Sequence, residues 1–177
     1  MDLNHIVNVV FRQTFSLLPP QYNSASAQLL MLTVGLQESR FTARRQLISK
    51  VVDGKKVLVP EGPAIGFWQF EKGNATSKGG VWGVLNHFRV GQIAKEFCLQ
   101  LGVKVDHETV WRAMETNDVL AAGFARLLLL SDAKALPKIG DVDGAWECYA
   151  KRTWRPGKPH RETWDAFYAQ ALKELGV

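Results

Sequence analysis

The stretch SASAQLLMLTVGLQES, residues 24–39, carries a long apolar run that ends in a glutamate and a serine. Ser24 or Ser26 can cap a helix at its start, because a serine side chain accepts the free backbone N–H groups there. Apolar side chains then fall on almost every face of that helix, and a helix that is apolar all round is buried all round. We therefore expect a central buried helix with Glu38 at its C-terminal end.

The sequence around this helix predicts further helices and one β-hairpin. Apolar residues recur at helical spacing over residues 3–17, and Pro19-Pro20 end that helix. β-Branched runs lie on both sides of Asp53-Gly54, a dipeptide that favours the tight turn of a hairpin. Later helical patterns cover residues 84–101, 107–115, 118–131, a segment that starts at Asp141 or Asp143, and 161–175. The predicted fold class is α+β and mainly helical, with the hairpin inserted after the central helix.

Length and composition favour one domain over residues 1–177. The chain is 46% hydrophobic, enough to bury a sizeable core but short for two domains. Its formal charge of +5 and pI near 9.3 favour anionic partners such as nucleic acid, a membrane surface or an acidic cell-wall polymer. Cys98 and Cys148 form no CxxC pattern and are interpreted as buried thiols, with a disulfide between them left open.

Glu38 has two features that suit a general acid. Burial beside apolar side chains raises the pKa of a carboxyl group, and the negative pole at a helix C-terminus also disfavours its charged form. A glutamate at a helix end is, taken alone, more often an ordinary solvated residue. The interpretation of Glu38 therefore depends on the motifs that follow it.

Three later motifs stand in a characteristic order after Glu38-Ser39. They are the segment GFWQFE (residues 66–71), the helix NDVLAAGFARLLLL (residues 117–130) and the segment AWECYAKRTW (residues 145–154), which contains Tyr149. Together with QESRF they resemble the lysozyme-like superfamily, in particular lytic transglycosylases and goose-type lysozymes. The resemblance spans residues 25–160 and depends on order and spacing more than on any single motif.

The resemblance implies a lysozyme-like fold and a muralytic activity. Glu38 would be the acid that cleaves the β-1,4 bond between N-acetylmuramic acid and N-acetylglucosamine in peptidoglycan. Ser39 and Gln69 would position the sugar and the acid, Tyr149 would hydrogen-bond Glu38 or the sugar, and no cofactor is implied. Trp68 is the tryptophan expected to stack on a sugar ring, and Phe70 is expected beside it in the substrate groove.

Two positions depart from the family pattern. Ala150 stands where members carry an asparagine after the tyrosine, which leaves the contact of that amide unassigned. Phe67-Trp68 is bulkier than the usual Leu-Met, which predicts a reshaped groove floor.

The reaction type depends on a second carboxylate. Glycoside hydrolases that use two carboxylates place the second about 5–5.5 Å or about 6.5–9.5 Å from the acid. Asp53, Glu61 and Glu71 are candidates, and none lies in a recognisable pattern. Lytic transglycosylases use a single glutamate and the C6 hydroxyl of the sugar. This chain resembles them more closely because it has no obvious second carboxylate. A hydrolytic lysozyme is the alternative.

Basic side chains form two groups in the sequence, and both are expected to flank the groove. The first group is Arg40, Arg44, Arg45, Lys50, Lys55 and Lys56, and the second is Lys151, Arg152, Arg155, Lys158, His160 and Arg161. Such groups attract the carboxylates of a cell wall. A non-catalytic basic protein that binds wall or nucleic acid is the hypothesis from another class, although no nucleic-acid signature is present.

Several other signals are absent. HETVW (residues 107–111) lacks the second histidine of a zinc site, so no metal is expected. No transmembrane segment or signal peptide is evident. We therefore expect a monomeric enzyme, phage-encoded or phage-derived, that reaches the wall through a lysis pore or within the virion.

Overall fold

The computed structural model describes residues 1–177 as a mainly helical α+β protein. Helix α1 comprises three consecutive segments, Leu3–His5, Ile6–Phe11 and Arg12–Leu17, and the middle one is π-helical. A short 3-10 turn, Pro20–Tyr22, leads to helix α2, Ala25–Ser39. Both helices occupy the predicted positions.

The β-hairpin that follows α2 is also confirmed. Strands β1 (Ile48–Val52) and β2 (Lys55–Val59) pair antiparallel, with Ile48 opposite Val59 and Val52 opposite Lys55. The two turn residues, Asp53 and Gly54, have φ of 49° and 75°, as a type I′ turn requires. Most residues of both strands are exposed.

Six further helices complete the chain. They are α3 (Gly80–Asn86), α4 (Gly91–Gln100), α5 (His107–Ala113), α6 (Asp118–Ser131), α7 (Val142–Glu147, continued by a π-helical turn, Cys148–Thr153) and α8 (Arg161–Leu175).

The prediction of one helix over residues 84–101 is wrong. The backbone becomes extended at His87, and a new helix starts at Gly91. The corner is tight: Gly91 donates its N–H to the His87 carbonyl at 2.7 Å, and a Cβ at Gly91 would lie 2.7 Å from the Leu85 carbonyl. The apolar pattern passes through this corner because Leu85 and Val90 are both buried on either side of it.

Helix α2 lies at the centre of a core of 38 buried residues. Every residue from Leu29 to Leu36 is buried, and α2 packs along the length of α8. Cys98 and Cys148 are both buried and free, so the alternative of a disulfide between them is not realised. No helix combines the length and the apolar character needed to cross a membrane.

Candidate active site

The C-terminal end of α2 is held in a defined position by the two residues that follow Ser39. Arg40 and Phe41 have φ of 52° and 53°, a left-handed conformation that ends the helix. The Phe41 ring turns back onto α2 and is fully buried. A Cβ at Gly35 would lie 2.1 Å from that ring, so Gly35 provides the space that Phe41 fills. Glu38 is therefore attached to a helix end that cannot easily shift.

Ser39 connects this helix end to the segment 66–70. Its hydroxyl donates to the Phe67 carbonyl at 2.7 Å and accepts from the Phe41 N–H at 3.1 Å. Ser39 does not line the cleft described below. The backbone contacts of the Ser39 hydroxyl support its predicted role in positioning the helix end that carries Glu38, and its contact with the sugar stays a prediction.

Glu38 and Tyr149 form the central pair of the site. The Tyr149 hydroxyl donates to Glu38 Oε1 at 2.8 Å, which confirms the predicted contact between them. Burial raises the pKa of Glu38 from 4.5 to about 7, and the hydrogen bond from Tyr149 lowers that pKa in part. Burial and the nearby Glu38 charge raise the pKa of Tyr149, so its phenol stays protonated. Glu38 can therefore hold or release a proton near neutral pH.

A π-helical turn presents Tyr149 to Glu38. In the turn Cys148–Thr153 the Thr153 hydroxyl donates to the Cys148 carbonyl at 2.7 Å. The Trp154 N–H donates to the Tyr149 carbonyl at 3.0 Å, which is the wider spacing of a π-helix. The Trp154 indole N–H then donates to the Trp68 carbonyl at 3.0 Å and joins this turn to the segment 66–70.

Glu38 opens into a cleft of about 800 Å³. The lining includes residues of the segment 69–73, of the loop 77–80 and of α3, together with residues 152–158, which include Trp154. A cleft of this volume is within the range that holds a small-molecule or oligosaccharide ligand.

The segment GFWQFE contributes to the cleft differently from the prediction. Gln69 and Phe70 line the cleft, as predicted. Gln69 has φ of 49° and its side-chain amide donates to the Gly66 carbonyl at 2.8 Å rather than to Glu38. Gln69 is thus placed beside the acid without contacting it.

The prediction that Trp68 stacks on a sugar is wrong. Its side chain is fully buried, its indole N–H donates to the Met31 carbonyl at 2.8 Å, and its ring packs on Phe41. A large aromatic side chain next to a long apolar helix gains more from the core than from solvent. The half-buried Trp154 lines the cleft instead.

Of the three candidate second carboxylates, only Glu71 lines the cleft. Asp53 lies in the hairpin turn, and Glu61 pairs with Lys50. Glu38 and Glu71 are the only carboxylates in the lining.

The two basic groups separate in the structure. Arg152, Arg155 and Lys158 of the second group line the cleft, whereas no residue of the first group does. Arg44 pairs with Asp118, and Arg45 makes two contacts of 2.9 Å with Glu115. Three of the six residues in the first group, Arg44, Arg45 and Lys50, are therefore held in ion pairs outside the cleft.

Sequence reasoning did not assign Trp154 or Lys78 to the site. Trp154 was one of six tryptophans with no distinguishing pattern, and the π-helical turn that directs it to the cleft has no sequence signature. The signal for Lys78 was the glycine-rich run KGGVWG (residues 78–83), since glycines mark backbone segments that approach one another closely. A Cβ at Gly80 would lie 2.2 Å from the Glu71 carbonyl, which confirms such an approach.

Comparison of the chain with protein-family models, with curated proteins and with solved structures finds no match. The function is therefore argued from the geometry of the site.

Proposed function

We propose that this chain is a muralytic enzyme of lysozyme-like fold, in which Glu38 is the acid and base that cleaves the glycan strand of peptidoglycan. The single observation that carries the proposal is the state of Glu38: a carboxyl group with a pKa of about 7, hydrogen-bonded by a buried tyrosine, in the lining of a cleft of about 800 Å³. A carboxyl group that is protonated near neutral pH can donate a proton to a glycosidic oxygen.

The favoured reaction is lytic transglycosylation. Glu38 would protonate the leaving oxygen of the β-1,4 bond, and its carboxylate would then take the proton of the C6 hydroxyl as that oxygen attacks the anomeric carbon. The bond to the leaving sugar breaks, a 1,6-anhydro bond forms, and Glu38 regains its proton without any external water. The near-neutral pKa of Glu38 supports both roles, because a group that first gives and then accepts a proton works best near the operating pH.

Hydrolysis by two carboxylates is the second candidate. Glu71 supports it, since it is the only other carboxylate that lines the cleft. Mass spectrometry of the products distinguishes the two reactions, because an anhydro product is lighter by one water than the hydrolysed product. Glu71→Gln is expected to retain activity in the transglycosylase and to lose it in the hydrolase.

The main test is the clearing of purified cell walls by the wild type and by Glu38→Gln. Glutamine keeps the size of Glu38 and an acceptor for Tyr149 but cannot exchange the proton, so activity is expected to fall by at least about a hundredfold. Glu96→Gln, the same change at an exposed residue of α4 that does not line the cleft, serves as the control and should clear walls like the wild type. Unchanged clearing by Glu38→Gln would overturn the catalytic assignment. Absence of clearing by the wild type, together with salt-sensitive DNA binding, would favour a nucleic-acid-binding protein.

We also propose that the enzyme acts as a monomer encoded by a bacteriophage and reaches the wall through a lysis pore or within the virion. Light scattering of the purified protein tests the first point. Detection of the chain in purified virions, as against its release only at lysis, tests the second.

A further inference from the structure

Two loops that line the cleft carry basic side chains, and the recognition of neutral sugars does not require such side chains. Lys78 lies on the loop between the segment 69–73 and α3, and Arg155 and Lys158 lie on the loop between the π-helical turn and α8. All three residues line the same cleft as Glu38. N-acetylated sugars are neutral apart from the lactyl group and are recognised by hydrogen bonds, so three cations indicate a negatively charged ligand.

These three cations have no carboxylate partner within the protein. Neighbouring basic residues do have one: Arg152 contacts Asp132 at 2.6 Å, and Lys72 contacts Glu108 at 2.7 Å. No ion pair involves Lys78, Arg155 or Lys158. Two groups of cations therefore lie near the cleft, one neutralised by the protein and one left available for a ligand.

The backbone holds two of these residues in unusual conformations. Lys78 and Arg155 have φ of 51° and 49°, which residues other than glycine rarely adopt. The Lys78 N–H donates to the Asn74 carbonyl at 2.9 Å, and the Arg155 N–H donates to the Tyr149 carbonyl at 3.2 Å. The left-handed turns are thus fixed by hydrogen bonds, and one of them is made by the residue that contacts Glu38.

The loop that carries Lys78 is built before any ligand arrives. The Asn74 side-chain oxygen accepts the N–H groups of Thr76 and Ser77 at 2.9 and 2.8 Å. Gly73 and Gly80 bring the two ends of the loop together, since a Cβ at Gly73 would lie 1.9 Å from the Gly79 carbonyl. A preorganised loop loses little conformational entropy when its ligand binds.

We propose that Lys78, Arg155 and Lys158 form a carboxylate-binding subsite that takes the acidic peptide stems of the glycan strand. This inference rests on the proposed muralytic function and adds the part of the substrate that the cleft selects. The arginine can bind a carboxylate through two parallel hydrogen bonds, and the two lysines supply further positive point charges in the lining of the same cleft. The enzyme should therefore prefer glycan whose peptide stems carry free carboxylates over glycan whose stems are neutral.

The test compares two forms of the same glycan strands, one with free stem carboxylates and one in which these carboxylates have been converted to amides. We measure the cleavage rate at low substrate concentration and the binding of the strands, for three proteins. The first protein is the wild type, and the second is Lys78→Gln/Arg155→Gln/Lys158→Gln. The third is the control Lys55→Gln/Lys56→Gln/Lys173→Gln, which loses the same charge at exposed positions outside the cleft.

The wild type and the control are expected to prefer the carboxylate form by at least about fivefold, and the preference should shrink with added salt. The cleft variant should treat both forms alike while still cutting them. Equal rates and equal binding of both forms by the wild type would overturn the inference but leave the muralytic function intact. A preference that survives in the cleft variant would also overturn it.

Failure of the proposed function gives a different result. The wild type then cuts neither form, and the binding measurement alone tests the subsite. Weaker binding of the amidated strands by the wild type, with no difference for the cleft variant, would support the subsite. A cleft variant that loses affinity for DNA while neither form of the strands binds would assign these cations to nucleic acid and overturn the inference.

Discussion

Helix α2 and the β-hairpin are joined by the short loop 40–47, yet they differ strongly in burial. Every residue of α2 from Leu29 to Leu36 is buried, whereas the hairpin exposes most of its residues on both faces, with Val51 at 69% and Leu58 at 68% exposure. The helix places Glu38 in a fixed position at the cleft. The hairpin contributes no residue to the cleft lining. The stability of the site should therefore depend on the helix and its C-terminal end and hardly at all on the hairpin.

The largest expected effect concerns the end of the helix. Phe41→Ala removes a fully buried ring that packs on Phe67, Trp68 and Gly35, which should lower the free energy of unfolding by about 3–5 kcal/mol. Denaturant titration measures this loss. Phe88→Ala, an aromatic residue that is 89% exposed, provides the matched control and should cost far less. Equal losses of unfolding free energy for the two variants would contradict the conclusion that packing at the helix end stabilises the site.

The second effect concerns the cost of holding Glu38 in the cleft. The carboxyl has a pKa of 4.5 when unfolded and about 7 when folded, so the folded protein binds a proton more tightly. Stability conferred by this proton is present at low pH and is lost as the pH rises from about 4.5 to 7. Glu38→Gln should therefore match the wild type at pH 4 and exceed it by up to about 3 kcal/mol at pH 8.

Denaturant titrations of both proteins at pH 4, 6 and 8 check this expectation. Only the difference between the two proteins is interpreted, because other carboxyl groups also change the stability of both with pH. A difference in the free energy of unfolding that stays constant at all three pH values would show that burial does not raise the pKa of Glu38.

A third, smaller effect concerns the hydrogen bond from Tyr149. The Tyr149 hydroxyl lowers the pKa of Glu38, so Tyr149→Phe should raise that pKa further. Glu38 must be protonated to donate a proton, and a higher pKa keeps it protonated at higher pH. Wall clearing should therefore persist to higher pH in the variant. The pH profile of clearing rates measures the shift of the basic limb. A limb that stays in place, or moves to lower pH, would contradict the assigned role of Tyr149.

The smallest effect is expected in the hairpin. Leu58→Thr replaces an exposed side chain by another with good strand propensity, so the free energy of unfolding should change by less than about 0.5 kcal/mol. Wall clearing should stay at the wild-type level. A substantial loss of clearing with unchanged stability would give the hairpin a part in substrate contact and would weaken its contrast with α2.

The sequence alone was enough to locate α2, the hairpin and Glu38. Each of these depends on local signals: an unbroken apolar run, an Asp-Gly turn and a polar residue where the run ends. A contact of Tyr149 with Glu38 or with the sugar was implied by the resemblance to the lysozyme-like superfamily, and the Tyr149 hydroxyl lies 2.8 Å from Glu38 Oε1 although 111 residues separate them in the chain.

The remaining parts of the site depend on tertiary packing that local patterns do not encode. Trp68 and Trp154 are both tryptophans beside polar residues, but Trp68 faces the Met31 carbonyl inside the core and Trp154 faces the cleft. The break at His87 depends on a close approach between Gly91 and the Leu85 carbonyl. Neither difference follows from periodicity or propensity.

The π-helical turn Cys148–Thr153 has a consequence for the comparison of this chain with others. A π turn closes a hydrogen-bonded ring over one more residue than an α turn does. Residues that follow the turn are thereby displaced by one position relative to a regular helix. An alignment with a protein that keeps a regular helix there should allow a one-residue gap inside this turn, and the position of that gap decides whether Ala150 is the counterpart of the residue after the tyrosine. Structural superposition, rather than matching of letters, is the way to decide which side chain of this turn corresponds to the asparagine in the family that the sequence resembles.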